Sequence, residues 1–235
     1  MAINSRVLVI GDMHWPYAHP DTIDFLQAIK EKYKPDRIIQ IGDEIDGHAI
    51  SFHGSDPDLL APGDELLSAI EKLQPIYKMF PSADIIESNH GSLVYRKGKV
   101  SGLPRFVFKS YREILKAPKD WHWHFDLTIQ LSNEKLCYFH HGKSGDPTAL
   151  SRNMSMSVVC GHHHSKFAIN YWANPLGLYF QMFTGCLVND KSLALAYNKT
   201  DILRPIIGSG IIIDGHPQLI PMVLMPKGRW IGRLV

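Results

Sequence analysis

The early part of the chain alternates short β-branched runs with amphipathic segments, and this alternation limits the fold more than any other feature. In chain order the pieces are Arg6–Ile10, Asp21–Tyr33, Arg37–Ile41, Asp64–Phe80 and Asp84–Glu87. The first, third and last of them are typical of strands, and the two between are typical of helices. A β-α-β-α-β order predicts parallel strands joined by helical crossovers.

Both amphipathic segments repeat apolar residues at helical spacing. The first carries Phe25, Leu26, Ile29 and Tyr33, and the second carries Leu66, Leu67, Ile70, Leu73, Tyr77 and Phe80. Residues spaced in this way share one face of a helix. We therefore expect each helix to bury that face on the sheet.

The rest of the chain is richer in strands. Residues 91–119 interrupt the alternation with glycines, prolines and a candidate helix at Arg105–Lys116, and we interpret them as an insertion over the edge of the sheet. The strands expected after them are Phe125–Leu131, Lys135–His140, Ser157–Cys160, Leu178–Thr184, Ser192–Tyr197, Gly210–Ile213 and Leu219–Leu224, the first two joined by a hairpin turn at residues 132–134.

Length and composition favour one domain. A chain of 235 residues with 45% hydrophobic content can bury one substantial core. We therefore predict an α/β fold with a single domain over residues 1–235, parallel at first and more antiparallel later.

Composition also excludes several classes of protein. The three cysteines, Cys137, Cys160 and Cys186, form no CxxC pair, so neither a disulfide framework nor a cysteine-rich zinc site is expected. The N-terminus has no signal-peptide pattern, and no apolar segment approaches the ~20 residues that span a bilayer. We expect a soluble cytoplasmic protein without a membrane partner.

Polar residues of one chemical type follow each of the first three strand-like runs. Asp12 and His14 follow the first run, Asp43 follows the second, and Asn89 and His90 follow the third. Ligands bind at the carboxyl ends of strands in open α/β sheets. A carboxylate at the position of Asp43 can bridge two cations with its two oxygens, and Asp46 is expected to cap a helix or support a ligand.

Histidines are concentrated at the ends of two later strands. These histidines are His140 and His141 in one segment and His162, His163 and His164 in the other. Imidazole is a common ligand of Zn, Mn and Fe. On an extended segment His162 and His164 would point to the same side.

Each of these segments is ordinary by itself, but five strand-terminal motifs in the order DxH, GDxxD, NH, HG and GHxH are not. Between Asp12 and His164 this set resembles the calcineurin-like metallophosphoesterase superfamily. The resemblance implies a β-sandwich of two mixed sheets flanked by helices and a centre with two divalent metal ions.

The resemblance also implies a role for each residue of the motifs. The ligands of one metal would be Asp12, His14, Asp43 and His164, and those of the other would be Asp43, Asn89, His141 and His162, with Asp43 bridging. His90 would be the catalytic histidine that faces the substrate. His141 is preferred over His140 because Gly142 follows it, and His163 is left out by the GHxH spacing.

The third motif departs from the family pattern. The family has glycine before the Asn and an acidic residue after the His, whereas this chain has Ser88 and Gly91. The acidic residue would orient the imidazole of His90 and favour its protonated form. Glu87, Asp46 or another carboxylate would have to replace it.

The expected activity is phosphate ester hydrolysis. Carboxylate, amide and imidazole ligands without thiolate suit Mn, Fe, Zn or Ni, and Mg less well, with Mn the leading candidate. In the implied reaction, hydroxide on the metals attacks phosphorus while His90 stabilises or protonates the leaving oxygen.

Residues 91–119 suggest the kind of substrate. They contain one acid, Glu113, against eight basic residues: Arg96, Lys97, Lys99, Arg105, Lys109, Arg112, Lys116 and Lys119. This imbalance indicates contact with an anion or a solvated helix face. The interleaved aromatic residues, which could stack on a base or pack internally, are Tyr95, Phe106, Phe108 and Tyr111.

We therefore expect a phosphomonoesterase acting on (deoxy)nucleotides, with Tyr95, Arg96 and Lys97 as candidate substrate-binding residues. The alternative is a metal-dependent nuclease acting on DNA or RNA. A protein phosphatase and a non-catalytic scaffold are weaker alternatives. Trp15 is expected either to line the cleft or to pack beneath a loop. Three histidines near the motifs are interpreted as rim residues without assigned roles: His19, His48 and His53.

Overall fold

The larger of two β-sheets contains the parallel strands predicted at the start of the chain. The structure is a computed structural model that describes residues 4–52, 56–142, 147–189, 191–192 and 203–235. The elements of its first half are β1 (Arg6–Ile10), α1 (Thr22–Tyr33), β2 (Arg37–Gln40), α2 (Pro62–Met79), β3 (Ser82–Ile86), α3 (Leu93–Val100), α4 (Tyr111–Ile114) and β4 (Asp120–His124). Strands β1 to β4 pair in parallel.

The second half of the chain forms the smaller sheet and then returns to the larger one. Its elements are β5 (Leu127–Gln130), β6 (Leu136–His140), α5 (Pro147–Met154), β7 (Ser157–Cys160), β8 (Phe167–Asn174), β9 (Gly177–Thr184), β10 (Gly208–Ile213) and β11 (His216–Pro221). The strand orders are β11-β10-β1-β2-β3-β4 and β5-β6-β7-β9-β8. Each sheet mixes parallel and antiparallel pairs, so the predicted fold class is confirmed.

The two sheets face each other across a buried apolar layer. Val7 and Val9 of β1 point into this layer, where they meet Phe139 of β6 and Met182 of β9. Alternate residues of a strand point to opposite faces. Accordingly, the other face of β1 packs on the helices, as Leu8 does. Burying a side chain of this size contributes about 1.5–3 kcal/mol.

The two long helices cover the outer face of the larger sheet. Phe25, Leu26 and Ile29 of α1 are fully buried, as the spacing predicts. In α2 the burial of Leu67 was predicted wrongly, because this side chain is 61% exposed. Glu65 is buried in the first turn instead, since its carboxylate accepts hydrogen bonds from the backbone N–H groups of residues 48 and 49.

The basic residues 91–119 lie between two parallel strands, β3 and β4. They therefore form the crossover of a βαβ unit whose second strand, β4, is at the edge of the larger sheet. The expected helix Arg105–Lys116 is wrong: a 3-10 turn at Arg105–Val107 precedes α4. Ser110 interrupts the helix, because its hydroxyl accepts from the N–H of Glu113 in a capping box.

Four elements were not predicted from the sequence, namely α3, β4, α5 and β8. The strands β1 and β7 have the predicted ends, whereas β11 begins and ends three residues before its prediction. Residues 193–197 of the strand expected at Ser192–Tyr197 lie outside the described residues. Among the described helices, none is long and apolar enough to cross a membrane.

Candidate metal centre

The seven predicted metal ligands come together at the carboxyl ends of five strands. They follow β1 (Asp12, His14), β2 (Asp43), β3 (Asn89), β6 (His141) and β7 (His162, His164). Because β1, β2 and β3 belong to one sheet and β6 and β7 to the other, the centre lies where the two sheets meet.

One group of side chains comprises Asp12, His14, Asp43 and His164. One ligand atom of each residue lies within 4.8 Å of the others. His164 Nε2 is 3.2 Å from Asp12 Oδ2, and His14 Nε2 is 3.1 Å from His164 Nε2 and 3.4 Å from Asp43 Oδ2. This is the ligand set that the resemblance implies for one metal.

A second group contains Asp43, His141 and His162, whose ligand atoms again lie within 4.8 Å of one another. Asn89 joins them, because its Oδ1 is 2.9 Å from His141 Nε2 and 3.1 Å from His162 Nδ1. Asp43 Oδ2 lies 3.1 Å from His141 Nε2. Asp43 is thus common to both groups, as a bridging ligand must be.

Asp46 supports two histidines of the centre. Its Oδ2 lies 3.0 Å from His14 Nδ1, and its backbone oxygen accepts a hydrogen bond from His90 Nδ1. The backbone N–H of His90 donates to Asp43 Oδ1 at 3.1 Å. Asp46 and Glu87 are the two acids named above as replacements for the missing acidic residue beside His90. Asp46 lies next to His90, whereas Glu87 lies 3.3 Å from Arg105.

Glu44 explains the departure at position 91 and was missed by the sequence reasoning. A Cβ at Gly91 would lie 3.1 Å from both carboxylate oxygens of Glu44, so a side chain there would crowd this carboxylate. Burial raises the pKa of Glu44 to about 7, and its Oε1 accepts a hydrogen bond from Trp123 Nε1 at 3.2 Å. The position of Glu44 directly after Asp43 is the feature of the sequence that could have identified it as part of the site.

The carboxylate of Asp12 shows that a cation suits this site. Its Oδ2 accepts a hydrogen bond from the backbone N–H of His162 at 2.7 Å. The buried Oδ1 has no hydrogen-bond partner among the described residues. A buried carboxylate oxygen without a partner is costly, and a cation would supply one. A Cβ at Gly161 would lie 2.6 Å from Oδ1, so glycine leaves room for this carboxylate.

The buried carboxylates attract positive charge. Burial disfavours the charged form of His141, but the charges of Asp43 and Asp12 outweigh it and raise the pKa of His141 to about 9. Burial also opposes protonation of His14, yet its hydrogen bonds with Asp43 and Asp46 hold the pKa well above its usual value. Divalent cations would compensate the same negative charge.

The backbone bends sharply at three of the proposed ligands. His14, Asp43 and His162 have left-handed φ angles of 53°, 52° and 67°. Such conformations cost of order 1–3 kcal/mol each and are concentrated at functional sites. The bend at His162 also shows that the segment after β7 is not extended, so alternation does not explain why His162 and His164 both reach the centre.

Gly42 makes the approach of the second sheet possible. Its φ is 108°, and a Cβ at this position would lie 2.5 Å from His141 Nδ1. That nitrogen is 2.9 Å from the backbone oxygen of Ile41, to which it donates when protonated. His141 Nε2 therefore faces the centre.

The two remaining histidines of these motifs lie outside the ligand groups. The ring of His140 stacks on Tyr138, and its Nδ1 accepts the N–H of Gly142 at 3.1 Å. The ring of His163 packs against Phe183.

The three candidate substrate-binding residues are divided between two sides of α3. Arg96 donates to the backbone oxygen of Asn89 at 3.0 Å, and both Arg96 and Lys97 lie over the ring of Phe52. Tyr95 instead donates to the backbone oxygen of Lys109 at 2.5 Å. Arg96 therefore contacts the loop that carries Asn89, and Lys97 lies beside it on the ring of Phe52.

The residues interpreted as cleft or rim residues are mostly structural. Trp15 is 5% exposed and belongs to the main apolar core. His19 is buried and donates to the backbone oxygen of Gly228, while His48 accepts the N–H of Asp56. His53 lies outside the described residues.

Several solved structures are distantly similar to this chain. No family model matches the chain, and no curated protein matches it. Vps29 of Chaetomium thermophilum is similar at 11% identity over 99% of this chain and 94% of that one, with a TM-score of 0.49. YfcE, a phosphoesterase from E. coli, is similar at 11% identity over 98% of both chains, with a TM-score of 0.46.

A nuclease, MPE of Pseudomonas putida, is similar at 13% identity over 92% of this chain and 85% of that one, with a TM-score of 0.35. At these identities and TM-scores the likenesses carry no conclusion about chemistry. The function is therefore argued from the geometry of the centre.

Proposed function

We propose that this chain is a dinuclear metal-dependent phosphoesterase, a hydrolase of phosphoric ester bonds. The observation that carries the proposal is the sharing of Asp43 by two groups of ligand atoms, with the imidazole of His90 beside them. Mixed carboxylate, amide and imidazole ligands without thiolate suit divalent ions such as Mn, Fe, Zn or Ni.

The residues divide between two cations that share one carboxylate. Asp12, His14 and His164 would hold one cation, Asn89, His141 and His162 would hold the other, and Asp43 would bridge them. When bound, two such cations lower the pKa of a water molecule and neutralise phosphate oxygens during in-line attack. The residues of the chain need supply no nucleophile of their own.

His90 is the proposed proton donor. Its Nδ1 donates to the backbone oxygen of Asp46, which leaves Nε2 for the substrate. As the oxygen of this water, which has already lost one proton to solvent, bonds to phosphorus, the bond from phosphorus to the leaving oxygen breaks. The leaving oxygen takes the proton of His90 Nε2, and the ring of His90 is left neutral. Proton transfer of this kind contributes typically ~10²–10⁴ in rate.

The test measures turnover and metal content together. Wild type loaded with Mn should hydrolyse p-nitrophenyl phosphate or bis(p-nitrophenyl) phosphate. His90→Ala should keep its metal and lose ~10²–10⁴ in kcat, while His216→Ala, which removes an exposed histidine of β11, should behave as wild type. Absence of hydrolysis by the metal-loaded wild type, or full turnover by His90→Ala, would overturn the proposal.

For the substrate, we propose a (deoxy)nucleoside monophosphate. The side chains that support it are Arg96, bonded to the backbone of Asn89, and Lys97, which shares the half-exposed ring of Phe52 with it. Cations beside an aromatic ring suit a phosphate joined to a base. Release of inorganic phosphate from deoxynucleoside monophosphates, with short oligonucleotides left intact, is the expected result.

A nuclease is the second candidate, and one surface favours it. Phe106 is 86% exposed, and Val107 beside it is 53% exposed, in a stretch flanked by Arg105 and Lys109. Exposed aromatic and basic residues suit single-stranded nucleic acid, whose bases stack on aromatic rings. Shortened oligonucleotides in the same assay would establish this candidate over the monophosphatase.

A further inference from the structure

A cleft of about 810 Å³ lies between the basic crossover and strand β4. Its walls include Tyr95, Phe108 and Tyr111 from the crossover and Trp123 from β4, with Arg112 and Lys119 at its edge. The volume lies within the range of small-molecule sites, which is about 300–1,000 Å³.

The aromatic side chains of the cleft form a rigid wall. Tyr95 meets Phe108 and Tyr111 edge to face, and Tyr111 stacks on Trp123 with 28° between the ring planes. A Cβ at Gly98 would lie 2.2 Å from Phe108, so the glycine of α3 lets this ring pack closely. A planar aromatic ligand would find rings already held in place.

The charges around the cleft favour an anion. Arg105 lies over the ring of Tyr95 at 4.6 Å and is paired with Glu87 at 3.3 Å. In the part of the chain that the structure describes, Arg112 and Lys119 form no ion pair. Two exposed cations therefore remain for a ligand beside the aromatic wall.

One buried polar atom also points to a ligand. The side chain of Tyr111 is only 7% exposed, and its hydroxyl has no hydrogen-bond partner among residues whose positions are described. A buried tyrosine hydroxyl usually finds a partner, because leaving it unpaired is costly. A ligand in the cleft that Tyr111 lines would provide one.

We propose that this cleft is a second nucleotide site, separate from the metal centre, with the base on the aromatic wall, Arg112 and Lys119 as partners of the phosphate and Tyr111 as a hydrogen-bonding group. The cleft is next to the metal centre on two strands. Trp123 Nε1 donates to Glu44, the residue after Asp43, and Glu87 precedes Asn89 by two positions.

The test is a binding titration of the full chain with dAMP in the presence of a chelator, so that no ester is hydrolysed. Quenching of tryptophan fluorescence should report binding, since Trp123 lines the cleft. Tyr111→Phe removes only the hydroxyl and should raise Kd about threefold to tenfold. Arg112→Gln, an exposed substitution that leaves the aromatic wall intact, should raise Kd by a similar factor.

Matched controls are Tyr179→Phe and Lys135→Gln, an aromatic residue and a cation that lie together elsewhere on the smaller sheet. Both should bind dAMP as wild type does, and deoxyribose 5-phosphate should bind wild type more weakly than dAMP. Equal binding of dAMP by wild type, Tyr111→Phe and Arg112→Gln would overturn the inference. So would equal affinity for dAMP and deoxyribose 5-phosphate.

The two proposals fail in different ways. A wild type that hydrolyses p-nitrophenyl phosphate with bound metal but shows no dAMP binding sensitive to Tyr111 overturns the cleft and retains the phosphoesterase. A wild type that binds dAMP in the cleft but hydrolyses no phosphate ester overturns the phosphoesterase and retains the nucleotide site.

Discussion

The Oδ2 atom of Asp46 lies 3.0 Å from Nδ1 of His14. This contact determines which nitrogen of the ring is free, because a histidine that donates through Nδ1 presents Nε2 to its other neighbours. Here Nε2 faces Asp43 and His164. A carboxylate behind a metal-binding histidine fixes the orientation of the ring and makes it a stronger ligand.

Substitution of Asp46 should weaken metal binding although Asp46 is not itself a proposed ligand. Asp46→Asn should lower Mn²⁺ affinity by about 10- to 100-fold, the effect typical of such supporting groups. Isothermal titration calorimetry measures it. Asp36→Asn is the control, because among the described residues Asp36 accepts its hydrogen bonds from the backbone and hydroxyl of Ser5 and the backbone of Arg6, away from the centre. Unchanged affinity in Asp46→Asn would remove the supporting role.

Two glycine substitutions should have opposite effects on stability. Gly42→Ala should lower the free energy of unfolding by more than about 1 kcal/mol, because its φ is 108° and the added Cβ would strike the ring of His141. A Cβ added at Gly63 in α2 would have no other atom within 4 Å. Gly63→Ala should therefore raise the free energy of unfolding by up to about 1 kcal/mol. Urea denaturation compares them. A fully stable Gly42→Ala would show that the backbone there is not constrained.

Three consecutive positions should differ in metal content. His162→Ala and His164→Ala should each reduce bound Mn from two ions to one, because each histidine belongs to a different ligand group. His163→Ala should keep both ions, since His163 packs against Phe183 instead. Metal analysis of the dialysed proteins gives the ratio. If His163→Ala lost an ion while His162→Ala and His164→Ala kept both, His163 rather than His162 or His164 would be the ligand.

Acid should weaken the attachment of the C-terminal segment to α1. The guanidinium of Arg229 donates through Nε to both oxygens of Asp21, at 3.0 and 2.9 Å, and holds the pKa of Asp21 at about 2. The folded state thus binds this proton less readily than the unfolded state, whose Asp pKa is about 3.9. The contribution is complete above about pH 4 and is lost as the pH falls towards 2.

Arg229→Met should therefore be less stable than wild type at neutral pH, and the difference should shrink between about pH 4 and about pH 2. Urea unfolding across this range measures it. Arg233→Met, in the same exposed segment, should follow the wild-type curve. A constant difference between Arg229→Met and wild type at every pH would show that the lost contact is packing rather than the ion pair.

Much of the fold could be predicted where local pattern and tertiary environment agree. The run Arg6–Ile10 is apolar because β1 is buried on both faces, and its ends were predicted correctly. Asp12 and Asp43 were identifiable because polar residues follow buried strands. The joint occurrence of the five motifs, rather than any one of them, indicated a common site.

Other elements depend on contacts between residues distant in sequence. Strand β4 reads DWHWH, a sequence without β-branched residues, and its Trp121 is held by a hydrogen bond to the backbone oxygen of Phe80 and by the ring of Tyr77. Such stabilisation leaves no local pattern. The same holds for Glu44, whose place against Gly91 arises only when β2 and β3 are side by side.

The most direct test of the account is the number and position of bound metal ions. Crystals of the full chain grown with Mn²⁺ should give two anomalous scattering peaks ~3.5–4 Å apart. One peak should lie among Asp12, His14 and His164, the other among Asn89, His141 and His162, with Asp43 in contact with both. A single peak, or two peaks without Asp43 between them, would contradict the dinuclear centre.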